Sequence, residues 1–266
     1  MTRRVGRSIF LILVLVFLYA PILILVVYSF TTSTQIGAIR GFSLQNYVTL
    51  VTTPELRSMI IGTVVLAVVV AVIASILGTI GAIGAFYSKR GPAAFLSTLN
   101  QVPVVNADVV TGFSICILLV VVFGISKDTY VPLVAGQVAL CAPFVYLSVM
   151  PRLQQMDQST YEAALDLGAT PSKALWSVII PQIMSGITSG FMLAITLSLD
   201  DYFIATYTKP ATFNTISTYV VNATKGAQTN IKTALWALST AIFVIVVIIV
   251  VCMNIRANRQ AKRRAD

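Results

Sequence analysis

Six apolar runs, each flanked by polar or charged residues, organise the chain. They cover residues 9–30, 59–87, 93–125, 131–150, 179–207 and 233–254. A membrane-spanning helix needs about 20 predominantly apolar residues, and each run is long enough. Within the runs the hydrophobic positions are continuous and show no two-residue alternation, so they predict helices rather than strands. Prolines interrupt three of them, with Pro21 in the first, Pro103 in the third and Pro143 in the fourth. The third run is expected to break at its proline. The first run is longer than the apolar core of a signal peptide, and Tyr28-Ser29-Phe30-Thr31 is a poor cleavage site, so it predicts a retained span. The expected fold is an all-α membrane protein with six transmembrane helices, forming one domain over residues 1–266.

Composition agrees with that pattern and removes other classes. Of 266 residues, 57% are apolar and 10% are charged. A soluble domain is about 25% charged, and disorder requires low hydrophobicity. The chain contains no histidine, which excludes Ser-His-Asp and Cys-His nucleophile systems and histidine metal sites. Cys116, Cys141 and Cys252 all fall in apolar runs and form no CxxC pair, so they read as small apolar fillers. No metal cluster, nucleophile pair or cofactor motif points to an enzyme.

The net charge of +9 does not indicate nucleic acid, because the bases cluster at the ends of apolar runs. Cytoplasmic loops carry an excess of Lys and Arg. With six spans and both termini cytoplasmic, the inner segments hold 12 of the 18 bases and the outer ones hold six. The basic residues of 256–264 then act as an anchor at an anionic inner leaflet. The outer loops, about 31–58 and 208–232, are long enough to dock a partner.

Residues 151–178 form the longest cytoplasmic connection and predict two short helices. Ser159-Thr160-Tyr161-Glu162 fits a capping box, with Ser159 as N-cap. Gly168 stands where a left-handed stop belongs, and Thr170-Pro171 fits an N-cap followed by proline at the first helical position. Tyr161, Ala164, Leu165 and Gly168 share one face of the first helix. That face has to pack on the protein's own helix ends, on the bilayer, or in a groove of another protein. With Asp157, Glu162 and Asp166 nearby and small apolar residues on the face, a protein groove fits best.

Glu162-Ala163-Ala164, then Gly168, then Val178-Ile179-Ile180-Pro181 resembles the EAA loop of binding-protein-dependent ABC importer permeases. Val178 and Ile180 depart conservatively from the I-x-L-P end of that pattern. The resemblance implies that the loop is a coupling helix, with Tyr161, Glu162, Ala163, Ala164, Leu165 and Gly168 docking into a cleft of a separate ATPase. It also implies partners: an ATPase subunit dimer, a second permease subunit and an extracytoplasmic substrate-binding protein, in addition to the bilayer. The chain has no GxxxxGK[ST] loop, so ATP is expected to be used by the partner and no cofactor is expected here. Tyr19-Ala20-Pro21, Tyr28-Ser29-Phe30, 103–108 and Ser198-Leu199-Asp200-Asp201-Tyr202-Phe203 are similar to the polyamine (spermidine/putrescine) permeases of the second-subunit, or C, type.

Asp108, Asp200 and Asp201 lie in apolar runs that hold no Lys or Arg. An Asp at a helix centre costs about 2.5–3.5 kcal/mol on insertion scales. Unneutralised acids predict a cation pathway, to which Tyr202 could add cation–π contact. The alternative for Asp201 is a packing or gating role. Gly186-Ile187-Thr188-Ser189-Gly190 predicts close helix packing, within the chain or against a second permease. The leading expectation is an ABC importer permease for polyamines. The alternatives are another substrate (ferric iron, an opine or an anion) and a stand-alone secondary transporter or channel.

Overall fold

The computed structural model describes residues 2–31, 41–225, 235–241 and 243–244. Eleven helices are bounded among them: α1 (Thr2–Ser29), α2 (Gln45–Thr52), α3 (Pro54–Tyr87), α4 (Arg90–Val105), α5 (Asp108–Ile117), α6 (Val131–Gln155), α7 (Gln158–Asp166), α8 (Pro171–Ala174), α9 (Ile180–Asp200), α10 (Phe203–Thr208) and α11 (Ile216–Lys225). Five-residue π-helical segments, Leu118–Val122 and Leu175–Ile179, extend α5 and join α8 to α9. The described residues contain no β-strand beyond an isolated bridge between Thr31 and Phe42.

Among the described residues, four helical stretches are long and apolar enough to cross a membrane: Phe10–Ser29, Pro54–Tyr87, Val131–Gln155 and Pro171–Asp200. Arg90–Val105 and Asp108–Val122 make a fifth if they cross as one span, bent by 108°. Of the sixth run, 235–241 and 243–244 are described and are helical. The rest of that run, the basic residues of 256–264 and residues 226–232 of the second outer loop lie outside the described residues.

Two expectations about continuity are corrected. Pro103 does not end the helix but lies inside α4, and the break comes at Asn106 and Ala107, both in extended conformation. The Asn106 side chain bridges it, donating from Nδ2 to Thr111 Oγ1 at 3.0 Å. The fifth run is also broken: α9 stops at Asp200, Asp201 is extended, and α10 restarts at Phe203.

The chain divides into two compact units, Met59–Tyr219 and a second comprising Met1–Ser58 with Val220–Asp266. Inside Met59–Tyr219, the pairing of α6 with α9 forms the main seam. A Cβ on Gly186 would sit 2.9 Å from the Ser148 carbonyl oxygen, and one on Gly190 would sit 3.0 Å from Val145 Cα. The GxxxG therefore lets α9 approach α6 within this chain, as small residues do between membrane helices. Leu133, Val145, Val149, Leu153, Ile179 and Ile183 fill the seam. In the second unit, the apolar stretch of α1 is mostly exposed.

Candidate functional site

The two breaks meet. Helix α10 packs on α5 and α6, with Gly112 so close to Ile204 that a Cβ would lie 2.8 Å from Ile204 Cα. Phe113 and Tyr207 add an edge-to-face ring contact at 5.8 Å. The starts of α5 and α10 are thus brought together, and the intramembrane acids gather at them.

Asp201 is buried, with 8% of its surface exposed. Its Oδ1 accepts the Ile204 backbone N–H at 3.0 Å, and its Oδ2 accepts that of Ala205 at 2.9 Å. Gln137 Nε2 donates to the same Oδ2 at 3.0 Å, while Gln137 Oε1 accepts Ser198 Oγ–H at 2.7 Å. Asp201 therefore caps α10 and ties it to α6 and α9. Both carboxylate oxygens are engaged by hydrogen bonds within the protein. Asp108 is exposed in the first turn of α5, and its charge lies within reach of Asp201. Asp200 is exposed at the end of α9. Tyr202 is half-buried, its ring edge-on to Phe203 at 5.2 Å.

The missing counter-charge has a source that the sequence pattern hides. Helix N-termini carry partial positive charge and free N–H groups, which favour carboxylates. Asp108 and Asp201 stand at two such ends, so neither needs a Lys or Arg. Gln137 and Ser198 were missed by the sequence reading. The signal for Gln137 was a lone amide inside an apolar span, a residue type costly there unless it is hydrogen-bonded.

Beyond α10, Lys209 Nζ donates to the Phe213 carbonyl oxygen at 2.8 Å. Partial burial, with a smaller contribution from nearby Lys127, holds the Lys209 ammonium below the usual lysine range.

The second predicted site is α7. Its cap is Asp157, not Ser159: Asp157 Oδ1 accepts the Ser159 backbone N–H at 3.0 Å. A carboxylate at the cap also meets the helix dipole, an advantage that a hydroxyl lacks. Hydrogen bonding from the Ser159 side chain, and after it from the Ser159 backbone N–H, lowers the Asp157 pKa below the ordinary range. The stop is as expected. Gly168 has φ +84°, its N–H donates to the Leu165 carbonyl at 2.9 Å, and Ala169 N–H donates to Ala164 at 3.0 Å. These two bonds form a Schellman closure. Thr170 Oγ1 accepts Lys173 N–H at 3.4 Å, with Pro171 opening α8.

The orientation of α7 divides the expected docking residues between two sides. Tyr161, Ala164 and Leu165 are half-buried, and the Tyr161 ring lies 5.7 Å from that of Tyr87 at the end of α3. The apolar face thus packs on the protein itself. Glu162, Ala163, Asp166 and Gly168 are exposed, together with Leu167 and Trp176.

Residues 78–265 match the family described as binding-protein-dependent transport system inner membrane component. The chain belongs to that family. It is a permease subunit of an ABC importer and a multi-pass protein of the cytoplasmic membrane. Among its relatives is the putrescine transport system permease protein PotI of Escherichia coli K12, 34% identical over 214 residues, covering 77% of this chain and 75% of the relative. The spermidine/putrescine transport system permease protein PotC of Haemophilus influenzae Rd is 31% identical, covering 94% of this chain and 96% of its own. The fold is shared with a chain of an amino acid ABC transporter, with a TM-score of 0.56 at 18% identity, covering 80% of this chain and 97% of the other. A chain of a bacterial ABC transporter importing the acidic polysaccharide alginate also has a TM-score of 0.56, at 14% identity, covering 95% and 96%.

Proposed function

We propose that this permease carries polyamines, putrescine or spermidine, inward across the cytoplasmic membrane. The observation that carries the reading is similarity along nearly the whole chain to the spermidine/putrescine permease of Haemophilus influenzae, whose coverage exceeds nine-tenths of both sequences. A separate ATPase supplies the energy, and α7 is the element it grips. The contact is made by the outward residues Glu162, Ala163, Asp166 and Leu167, while Tyr161, Ala164 and Leu165 transmit its movement to the ends of α3 and α9. A second permease subunit completes the pathway and an extracytoplasmic binding protein delivers the substrate. Six spans with both termini in the cytoplasm put α7 on the ATPase side.

In the pathway itself, Asp108 and Asp200 offer exposed carboxylates to a passing polycation, with Tyr202 beside them. Asp201 acts by holding α10 in place. The test is purification of the tagged chain in mild detergent, without crosslinking, followed by identification of what accompanies it and measurement of ATP hydrolysis. An ATPase subunit that co-purifies, and hydrolysis stimulated by putrescine or spermidine with the binding protein, are the expected results. A chain that purifies alone and transports without ATP would overturn the proposal.

A further inference from the structure

The helix α2 lies beside the Ser29 end of α1 and is bound to it. Asn46 Nδ2 donates to the carbonyl oxygens of Ser29 and Thr31 at 2.9 and 3.0 Å. Those carbonyls follow the last turn of α1, where no intrahelical partner is available. Tyr47 Oη shares a hydrogen bond with Ser29 Oγ at 2.8 Å. The Phe30 ring stacks on Phe42 at 5.5 Å and lies 5.3 Å from the Tyr47 ring. The Ser43 N–H donates to the Phe30 carbonyl at 2.8 Å. The position of α2 is therefore set by where α1 ends.

That end is at a membrane boundary. Phe10–Ser29 is 20 predominantly apolar residues, and at 1.5 Å per residue such a helix matches a hydrocarbon core of about 30 Å. The aromatic cluster of Phe30, Phe42 and Tyr47 occupies the level where aromatic belts form.

One edge of α2, Asn46 and Leu50, is buried. The opposite side presents Leu44, Val48 and Val51, 54%, 49% and 67% exposed, with Phe42 preceding them at 78%. Leu44, Val48 and Val51 stand at i, i+4 and i+7 and share one helix face. Exposed Gln45 and Thr52 flank it, and residues 41–53 contain no charge.

We infer that α2 is an interfacial helix: Phe42, Leu44, Val48 and Val51 lie in the headgroup–acyl boundary of the bilayer and fix the depth and tilt of α1. The occupant of this face is lipid. The face continues from a span most of whose residues are themselves exposed, and its depth follows from hydrogen bonds to the end of that span. Without charges it is held by apolar burial alone, unlike basic surface helices that depend on anionic headgroups.

The test uses the intact transporter in phosphatidylcholine nanodiscs, with Cys116, Cys141 and Cys252 replaced by serine. Val48→Cys, Val51→Cys and Gln45→Cys are each labelled with a nitroxide. Collision rates are measured with oxygen, which concentrates in the acyl region, and with a water-soluble nickel chelate. Labels at Val48 and Val51 should collide severalfold more with oxygen than with nickel, and the label at Gln45 should show the reverse preference. The ordering should be unchanged when phosphatidylglycerol is added. Free nickel access at Val48 and Val51 would place the face in water and overturn the inference. Exclusion of both reagents, with immobilised spectra, would reveal a covering protein and overturn it too. A lipid contact seen only with phosphatidylglycerol would contradict a charge-free anchor.

Discussion

Asp201 illustrates how a single residue changes meaning between sequence and structure. As one of three acids in base-free apolar runs it reads as a cation ligand. Folded, it accepts two backbone N–H groups of α10 and the Gln137 amide. The sequence revealed that an acid was present in the membrane, but not that the chain breaks beside it, because a helix N-terminus has no composition of its own. The three acids should therefore behave differently on substitution. Asp201→Asn places an amide N–H₂ where an oxygen accepts, leaving buried donors unpaired at about 1–3 kcal/mol. It should lower the thermal stability of the detergent-purified complex, and Gln137→Leu should do the same. Asp108→Asn and Asp200→Asn, both exposed, should leave melting unchanged and reduce polyamine uptake at matched expression. Wild-type melting for Asp201→Asn, or loss of folding for Asp200→Asn, would contradict this division.

At the scale of elements, α7 and α8 were the most legible part of the chain. Gly168 and Thr170-Pro171 supply backbone chemistry that few other residues provide, and both act as their positions predict. The cap was misread because Asp157 and Ser159 are both good N-caps, and the choice depends on where the chain leaves α6. The docking side was only partly legible, because amphipathicity reports that a face is covered, not by what. Tyr161 finds Tyr87 of its own chain, leaving a surface of Glu162, Ala163, Asp166 and Leu167 outside. Behind α8, the π-helical Leu175–Ile179 connects this loop to α9, and such i→i+5 segments are frequent at functional sites. Gly168→Val forces a β-branched residue to φ +84°, a strain of about 1–2 kcal/mol. Glu162→Lys inverts the outward charge. Each should reduce uptake by roughly fivefold or more, the scale of a coupling free energy of 1–3 kcal/mol, with the protein still in the membrane. Unchanged transport by both would remove α7 from coupling. The Asp157 cap adds a pH dependence. Its pKa is lowered on folding, so its contribution is present above the ordinary carboxylate value of about 3.9. It is lost as pH falls through the lower folded value, and fraying at the start of α7, followed by hydrogen exchange, is expected only in that acidic window.

At the scale of the whole molecule, apolar runs gave the class directly, since only helices satisfy their own backbone in lipid at this length. The break at Asp201 was not legible and the one at Asn106–Ala107 was expected at Pro103 instead, because hydropathy averages across one or two extended residues. Breaks of this kind are tolerated where protein packs around them, and here α5, α6 and α10 do so. The resulting picture is a permease in which a capped break between apolar helices and the helix α7 are joined through the α6–α9 seam. Its central claim is ATP-driven polyamine import by a complex containing this chain. The most direct measurement is uptake of labelled putrescine and spermidine into proteoliposomes holding the purified complex, with binding protein outside and ATP inside. The account predicts accumulation that requires enclosed ATP and the binding protein and that falls with Asp200→Asn. Accumulation without ATP, or none of either polyamine by a complex that hydrolyses ATP in response to a different substrate, would contradict it.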